Sequence, residues 1–199
     1  MKNPNKQISR SWQRMLSGRR LNIIDPSPLD IEIDDIARGI ARVARWNGQT
    51  QGKNPISVAQ HSVIVVEILK LSKNQIPMKW QLGALLHDAA EYIVGDMITP
   101  LKTLLGIEYS HIESRIQQAI HTRFSLPINF PKSITKMIKR ADRQTAFLEA
   151  VQLAGFTEEE ARRIIPTPVN IPNYKIVPLP SEKAEKLFLK FFNDLTKNL

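Results

Sequence analysis

Apolar residues recur at intervals of three and four along most of this chain, which is the spacing of helices that bury one face. The clearest stripe lies within residues 133–153 and comprises Ile134, Met137, Ile138, Ala141, Thr145 and Leu148. Comparable stripes predict helices that follow the N-caps Asp34, Ser57, Thr157 and Ser181, and helices over residues 79–94 and 108–124. The pattern therefore predicts a mainly helical protein.

Local signals at the ends of these stripes support the assignment. Ser57 with Gln60, and Thr157 with Glu160, match the capping-box pattern, in which a hydroxyl and a longer polar side chain satisfy backbone groups at a helix start. Gly95 is a typical residue to end the helix over 79–94, because glycine readily adopts the left-handed conformation that follows a helix.

A few stretches lack the helical spacing. Residues 21–23 and 29–33 alternate apolar and polar side chains, which favours extended backbone. Residues 96–102, DMITPLK, are predicted to be a loop, and residues 166–180 are rich in proline and predicted to be extended. The fold class predicted is all-α, a single helical bundle with room for a small β-hairpin built from the extended segments.

Composition narrows the class further. A chain of 199 residues fits one domain with a buried core. The absence of cysteine excludes disulfides and thiolate metal sites. No secretory signal is apparent, and no stretch approaches the roughly 20 apolar residues of a membrane span. We therefore expect a cytoplasmic protein without membrane association.

The formal net charge of +9 admits two interpretations. Basic patches could bind nucleic acid, or the excess charge could simply be solvated and attract small anions. The lysines and arginines are dispersed, and no aromatic residues alternate with them as in a nucleic-acid motif. We therefore expect no specific nucleic-acid binding.

Candidate chemistry is concentrated in residues 85–96, LLHDAAEYIVGD. Uncompensated charge is costly among apolar residues, so His87 and Asp88 need a partner. A divalent cation would offset that cost, because adjacent His and Asp side chains can offer it one nitrogen and one oxygen. Glu91 lies four residues after His87, on the same helical face, where it could orient or deprotonate a bound water.

Two further residues have a similar character, and each has a plainer alternative. His61 lies in an otherwise apolar helix and could be a core histidine. Asp142 lies at the edge of an apolar stripe and could pair with a neighbouring Arg or Lys. If both join His87 and Asp88, the four would leave open positions on a six-coordinate metal. Spacing alone leaves these alternatives open.

Three segments, HSVIVVEIL, LLHDAAEYIVGDMITPLK and KRADRQTAF, together resemble the HD-domain metal-dependent phosphohydrolases. The order of the ligands, His, His-Asp and then Asp, is the signature of that superfamily. The resemblance is closest to the branch of bacterial 5′-deoxynucleotidases, which also carries an arginine-tryptophan pair, here Arg45-Trp46, and a Gly-Asp followed by Thr-Pro. It covers a motif-bearing core of about residues 34–153. We accordingly predict a basic segment over residues 1–20 and an HD phosphohydrolase domain over residues 21–199.

The resemblance implies a role for each matching residue. One divalent ion, of Mn, Fe, Co, Ni or Zn, would be held by His61, His87, Asp88 and Asp142. Glu91 and Asp96 would be catalytic, with Asp96 helping to hold the sugar or the water network. Arg45 would hold the phosphate, and Trp46 would pack near the sugar. Apart from the resemblance, Thr99 and Lys102 lie just past the motif helix, and either could line the site. Members of the branch usually carry Glu before the first histidine, where this chain has Gln60.

The predicted reaction is removal of the 5′-phosphate from nucleoside monophosphates, with deoxyribonucleotides as the expected substrates. The main alternative is a deoxynucleoside triphosphate triphosphohydrolase of the same superfamily. A non-catalytic basic binding protein and a two-metal phosphodiesterase are more distant alternatives.

His111 and His121 are expected to be surface or structural residues, because their separation places them about 80° apart around a helix. Members of the branch are often dimers, so the resemblance also predicts a homodimer.

Overall fold

Nine α-helices, two short 3-10 helices and one two-stranded antiparallel sheet make up the regular structure of residues 10–71, 75–165 and 170–197, which are the residues that the computed structural model describes. The strands are β1 (Trp12–Arg14) and β2 (Arg20–Asn22). The helices are α1 (Ile33–Ile40), α2 (Val58–Lys70), α3 (Met78–Leu85), α4 (Glu91–Val94), α5 (Thr99–Leu105), α6 (Ile107–Arg123), α7 (Lys132–Gln152), α8 (Glu158–Ile164) and α9 (Ser181–Thr196). The predicted all-α bundle with a small hairpin is confirmed.

Helix α2 lies at the centre of the bundle. Nearly all of its residues are buried, because α3, α7 and α9 pack around it. A helix that is apolar on every side is stable only in such a position. This places His61, in the first turns of α2, in the interior of the protein and beside α7.

The hairpin differs from the expected one. Its second strand contains Leu21, as predicted, but its first strand comes from the polar segment before it, with Trp12 opposite Asn22. Residues 29–33 form no strand. Ser27 caps a short 3-10 helix over Pro28–Asp30, which leads directly into α1, and proline suits the first turn of such a helix. The hairpin spans the predicted domain boundary after residue 20, and that boundary remains a prediction.

The predicted helix over residues 79–94 is interrupted. Helix α3 ends at Leu85, and residues 86–90 form tight turns before α4 begins. The cause is a tertiary contact, because the side chain of Gln117 on α6 donates to the Leu86 carbonyl (2.7 Å) and accepts from the Ala90 amide (3.1 Å). These bonds satisfy backbone groups that a continuous helix would have paired internally. Gly95 ends α4 at a φ of 75°, as predicted.

The predicted loop over residues 96–102 is only partly correct, because residues 96–98 form neither helix nor strand but α5 begins at Thr99. Pro100 lies in the first turn of this helix, where its missing amide hydrogen leaves no bond unmade. Within the predicted extended stretch over 166–180, residues 170–180 form neither helix nor strand, and residues 166–169 lie outside the described residues. Residues 1–9 of the predicted basic segment also lie outside them.

The predicted caps are partly correct. Thr157 and Glu160 form a complete capping box, and the Ser57 hydroxyl accepts from the Gln60 amide. The Gln60 side chain does not complete its box, because it binds the backbone of residues 177 and 179 instead. The predictions of Asp34 and Ser181 as N-caps are wrong. Each is an early residue inside its helix, and the N-cap positions belong to Glu32 and Pro180.

A close approach between α1 and α4 depends on Gly39. A Cβ atom at this position would lie 2.7 Å from the Cβ and 3.2 Å from the Cα of Tyr92. Only glycine allows the two helices to pack this closely. Since α4 begins with Glu91, this contact also positions that carboxylate.

No helix in the described part of the chain is both long and apolar enough to cross a membrane.

Candidate metal centre and substrate cleft

The four predicted metal ligands converge on one point although they come from three parts of the chain. His61 lies on α2, Asp142 lies on α7, and His87 and Asp88 lie in the turns that follow α3. The His61 Nε2 atom lies 3.2 Å from Asp142 Oδ1 and 3.7 Å from Asp88 Oδ2. The His87 Nε2 atom lies 3.2 Å from Asp88 Oδ2 and 3.9 Å from Asp142 Oδ1. Ligand atoms of His61, His87 and Asp88 all lie within 4.8 Å of one another, as in a metal site.

The two histidine rings present the same kind of nitrogen to this point. The Nδ1 atom of His61 is held by Glu149 Oε1 at 2.7 Å, and the Nδ1 atom of His87 is held by the Ala84 carbonyl at 2.8 Å. Both Nε2 atoms are buried and have no hydrogen-bond partner among the described residues. Histidines that ligate a metal through one nitrogen usually donate a hydrogen bond from the other nitrogen to an oxygen. The Nδ1 atoms of His61 and His87 each face such an oxygen. Two nitrogens and two carboxylates fit a transition-metal ion.

The electrostatics of the cluster also favour a cation. Burial alone would lower the pKa of His87, but the charge of Asp88 and then of Asp142 raises it to about 9. Burial likewise opposes ionisation of Asp88, yet the charge of His87 holds the pKa of that carboxyl well below its usual range. The side chains of Asp88 and Asp142 are 26% and 35% exposed, whereas that of His61 is fully buried. The carboxylates therefore form the side of the cluster that faces solvent.

Arg45 and Trp46 lie beside the cluster in an unusual backbone conformation. Trp46 and Asn47 adopt left-handed φ angles of 56° and 51°, which are costly for residues other than glycine. The Arg45 side chain is 13% exposed, and its Nη1 atom lies 3.8 Å from Asp88 and 3.7 Å from Asp96. The ring of Trp46 packs on Phe156 with the centroids 5.7 Å apart. Arg45 and Asp96 are thus brought to the predicted ligands.

Glu91 borders the cluster and faces Lys102. Its side chain is buried, one oxygen lies 3.7 Å from Lys102 Nζ, and the other has no hydrogen-bond partner among the described residues. Burial, followed by the charges of Asp88 and Asp96, raises the pKa of Glu91 to about 9. A positive charge placed among these carboxylates would oppose that rise. Lys102 is held in turn by Glu113 at 2.9 Å.

A cleft opens next to this cluster. It has a volume of about 330 Å³, and its lining includes His87, Asp88, Glu91, Lys102, Ser114 and Gln118. Thr99 is exposed at the start of α5 and makes no ion pair or side-chain hydrogen bond with the cluster in the described part of the chain. A larger depression of about 810 Å³ lies between the hairpin and α1 and shares no lining residue with the cleft.

The other two histidines are placed as expected. His111 is exposed on α6. His121 is buried, with its Nδ1 atom 3.3 Å from the Ile128 carbonyl and its Nε2 atom 2.9 Å from the Gln117 amide nitrogen. Its ring stacks on Phe130 at 4.6 Å. Both are therefore surface or structural residues.

One residue of this centre was not predicted. Glu149 is fully buried on α7 and contacts His61, Arg45 and Trp46 through its two carboxylate oxygens. Two signals in the sequence could have identified it. Glu149 is the one charged residue in the run TAFLEAVQLAGF, and it follows Asp142 by seven residues, which is two helical turns on the same face.

Known proteins are similar in sequence to most of this chain. The family described as 5′-deoxynucleotidase YfbR-like matches residues 36–162 of the chain. An uncharacterised protein of Rhodobacter capsulatus is 48% identical over 194 residues, which cover 96% of this chain and 99% of that protein. The uncharacterised protein YfdR of Escherichia coli is 27% identical over 187 residues, which cover 94% of this chain and 97% of that protein. The chain therefore belongs to the YfbR-like 5′-deoxynucleotidase family of the HD superfamily, a family of nucleotide phosphohydrolases.

Proposed function

We propose that this protein is a metal-dependent phosphomonoesterase that removes the 5′-phosphate from nucleoside monophosphates, with deoxyribonucleotides as its preferred substrates. The observation that carries the proposal is the pair of buried Nε2 atoms of His61 and His87, which have no hydrogen-bond partner among the described residues and lie beside Asp88 and Asp142. A buried polar atom without a partner is costly, so a ligand is the physical reason to keep two of them together.

His61, His87, Asp88 and Asp142 are the residues that would hold one divalent ion of Mn, Fe, Co, Ni or Zn. Bound there, the ion would supply positive charge to phosphoryl oxygens and lower the pKa of a water molecule. Because Asp88 and Asp142 form the exposed side of the cluster, the substrate phosphate would approach from that side, next to the cleft.

The remaining residues would bind the phosphate and move the proton. Arg45 would donate to phosphate oxygens through its guanidinium, whose forked donors match a phosphate better than the single ammonium group of a lysine does. Glu91 would accept the proton of the attacking water, and Asp96 would keep Arg45 oriented and contact the sugar. Trp46 would pack near the sugar, and Thr99 would line the site.

The alternative, a triphosphohydrolase, requires more cationic groups around the phosphates. Arg45 forms ion pairs with Asp88 and Asp96, and Lys102 forms one with Glu91. Three arginines near the N-terminus are engaged elsewhere, since Arg10 and Arg20 lie over the ring of Trp12 and Arg19 pairs with Glu32. This arrangement favours a monophosphate over a triphosphate.

The test is a substrate panel assayed with each candidate metal. Purified protein is incubated with dAMP, AMP and dATP, and phosphate and nucleoside are quantified. We expect nucleoside and phosphate from dAMP, less from AMP, and no activity after chelation. The Glu91→Gln variant should lower kcat by about 10²–10⁴-fold, the usual contribution of a general base. Glu185→Gln, which alters an ion pair on α9, is the matched control.

Two results would contradict the proposal. Hydrolysis of dATP without hydrolysis of dAMP would identify the triphosphohydrolase. A protein that binds nucleic acid and hydrolyses no nucleotide with any of the metals would identify the non-catalytic alternative.

The resemblance also predicts a homodimer, which light scattering of the purified protein would detect.

A further inference from the structure

Glu149 is a fully buried carboxylate that joins two parts of the site. Its Oε1 atom lies 2.7 Å from His61 Nδ1. Its Oε2 atom accepts two hydrogen bonds, from Arg45 Nε at 2.9 Å and from Trp46 Nε1 at 3.0 Å. Both oxygens are therefore used, one by the predicted metal ligand and the other by the predicted phosphate-binding residue and its neighbour.

We infer that Glu149 is a positioning residue that holds His61 in the form able to bind the metal while fixing the Arg45-Trp46 turn that binds the phosphate. This inference rests on the proposed metal centre and assigns a role to a residue outside the ligand set. It makes metal affinity and phosphate binding depend on a single side chain.

Glu149 determines which ring nitrogen of His61 carries the proton. An ionised carboxylate can only accept hydrogen bonds, so the Nδ1 atom of His61 must carry the hydrogen that lies between them. In the neutral ring the Nε2 atom then keeps its lone pair, and that lone pair faces Asp142 and Asp88. The other oxygen of Glu149 accepts from the Arg45 guanidinium, which is always charged, and this contact favours the ionised carboxylate.

Glu149 also holds the backbone of the Arg45-Trp46 turn. Trp46 and Asn47 both have left-handed φ angles, and such conformations persist only where surrounding contacts hold them. The bond from the Trp46 indole to Glu149 is one such contact, and the backbone bond from Arg45 to the Ile56 carbonyl at 2.9 Å is another. Together they direct the Nη1 atom of Arg45 toward Asp88 and Asp96.

The Glu149→Gln substitution would change the hydrogen bonding at His61 as well as the charge of the side chain. The oxygen of Glu149→Gln would stay with its two donors, Arg45 and Trp46, so its amide group would face His61 Nδ1. Two donors cannot share that bond, and His61 would respond by accepting at Nδ1 and carrying its hydrogen on Nε2. That hydrogen occupies the metal-binding nitrogen. His87 would be unaffected, because its Nδ1 atom bonds to the Ala84 carbonyl.

The experiment measures metal affinity directly. Zn²⁺ is titrated into the metal-free protein in competition with a chromogenic chelator, for wild type, Glu149→Gln and a matched control. The control is Glu67→Gln. Glu67 lies on α2, as His61 does, but roughly 9 Å further along that helix, and its carboxylate accepts from the Tyr174 hydroxyl. We expect Glu149→Gln to weaken Zn²⁺ binding by about 10–100-fold, the usual effect of losing such a partner. We expect Glu67→Gln to bind as wild type does, and Glu149→Gln also to raise KM for dAMP.

Each outcome has one meaning. Wild-type protein that binds no metal would overturn the proposed metal centre and this inference with it. Wild-type binding together with unchanged binding by a folded Glu149→Gln variant would overturn the inference alone. If that variant does not fold, ¹⁵N spectra of the Zn²⁺-loaded wild-type protein decide instead. The inference requires a hydrogen on His61 Nδ1, and its absence would refute it.

Discussion

The Nε2 atom of His61 lies 3.2 Å from the Oδ1 atom of Asp142, although the two residues belong to different helices. Helices α2 and α7 pack directly against each other, so this distance is set by the core of the protein. The ring nitrogen is buried and the carboxylate is partly exposed. The relationship therefore places one end of the proposed metal site in the rigid interior and the other at the surface.

Asp142→Asn should abolish stable metal binding. The amide offers a weaker, neutral ligand, and we expect metal affinity to fall by at least about 100-fold, the upper end of the loss seen when only an outer partner is removed. Metal analysis after dialysis measures the content. Added metal should raise the Tm of wild type, since a ligand at 100 times its Kd stabilises by about 2.7 kcal/mol. Asp194→Asn, on the exposed face of α9, is the control, and an equal metal-induced Tm rise in both variants would exclude Asp142 as a ligand.

Arg45→Lys should weaken phosphate binding while retaining the charge. Lysine lacks the forked donors of a guanidinium, so we expect kcat/KM for dAMP to fall by about 10–100-fold, corresponding to about 1.5–3 kcal/mol for a hydrogen bond to a charged group. Steady-state kinetics measure the change. Arg42→Lys, at an exposed ion pair with Glu185, should leave kcat/KM unchanged. Equal kinetics in the two variants would show that Arg45 does not contact the substrate.

Gly39→Ala should destabilise the protein and disturb Glu91. The new Cβ would meet the Tyr92 Cβ at 2.7 Å and backbone at 3.2 Å, so α1 and α4 must separate. Overpacking of this kind destabilises a protein by about 1–3 kcal/mol. The higher helix propensity of alanine offsets about 1 kcal/mol of that loss. Urea unfolding measures the free energy, and kinetics measure kcat. A variant as stable as wild type would show that the two helices move apart freely.

The buried His121 should make stability fall at acidic pH. Burial lowers its pKa, and its neutral ring is already satisfied by the Ile128 carbonyl and Gln117. The unfolded chain therefore binds a proton more readily than the folded protein, so stability rises with pH up to the unfolded pKa of about 6.5 and is lost below it. His121→Gln should flatten this part of the dependence of the unfolding free energy on pH. His111→Gln, exposed on the same helix, should not, and identical slopes in all three proteins would contradict the prediction.

Several elements were predictable because their signals are local. Helices α2, α6 and α7 follow from apolar spacing, and the caps at Ser57 and Thr157 follow from residues three apart. The interruption at residues 86–90 was not predictable, because its cause is Gln117, a polar residue on another helix. The first strand of the hairpin was missed for the same reason, since a short polar strand is defined by its partner.

The sequence by itself determined the helical class and, through the motif residues, the family and the proposed ligands. Periodicity and motif order are properties of neighbours along the chain, and they survive without any knowledge of packing. Only the tertiary structure decided how His61, His87, Asp88 and Asp142 meet, which histidine nitrogen faces the proposed metal site, and that Glu149 joins that proposed site to Arg45. These features depend on hydrogen bonds and burial between distant segments, which no local pattern encodes.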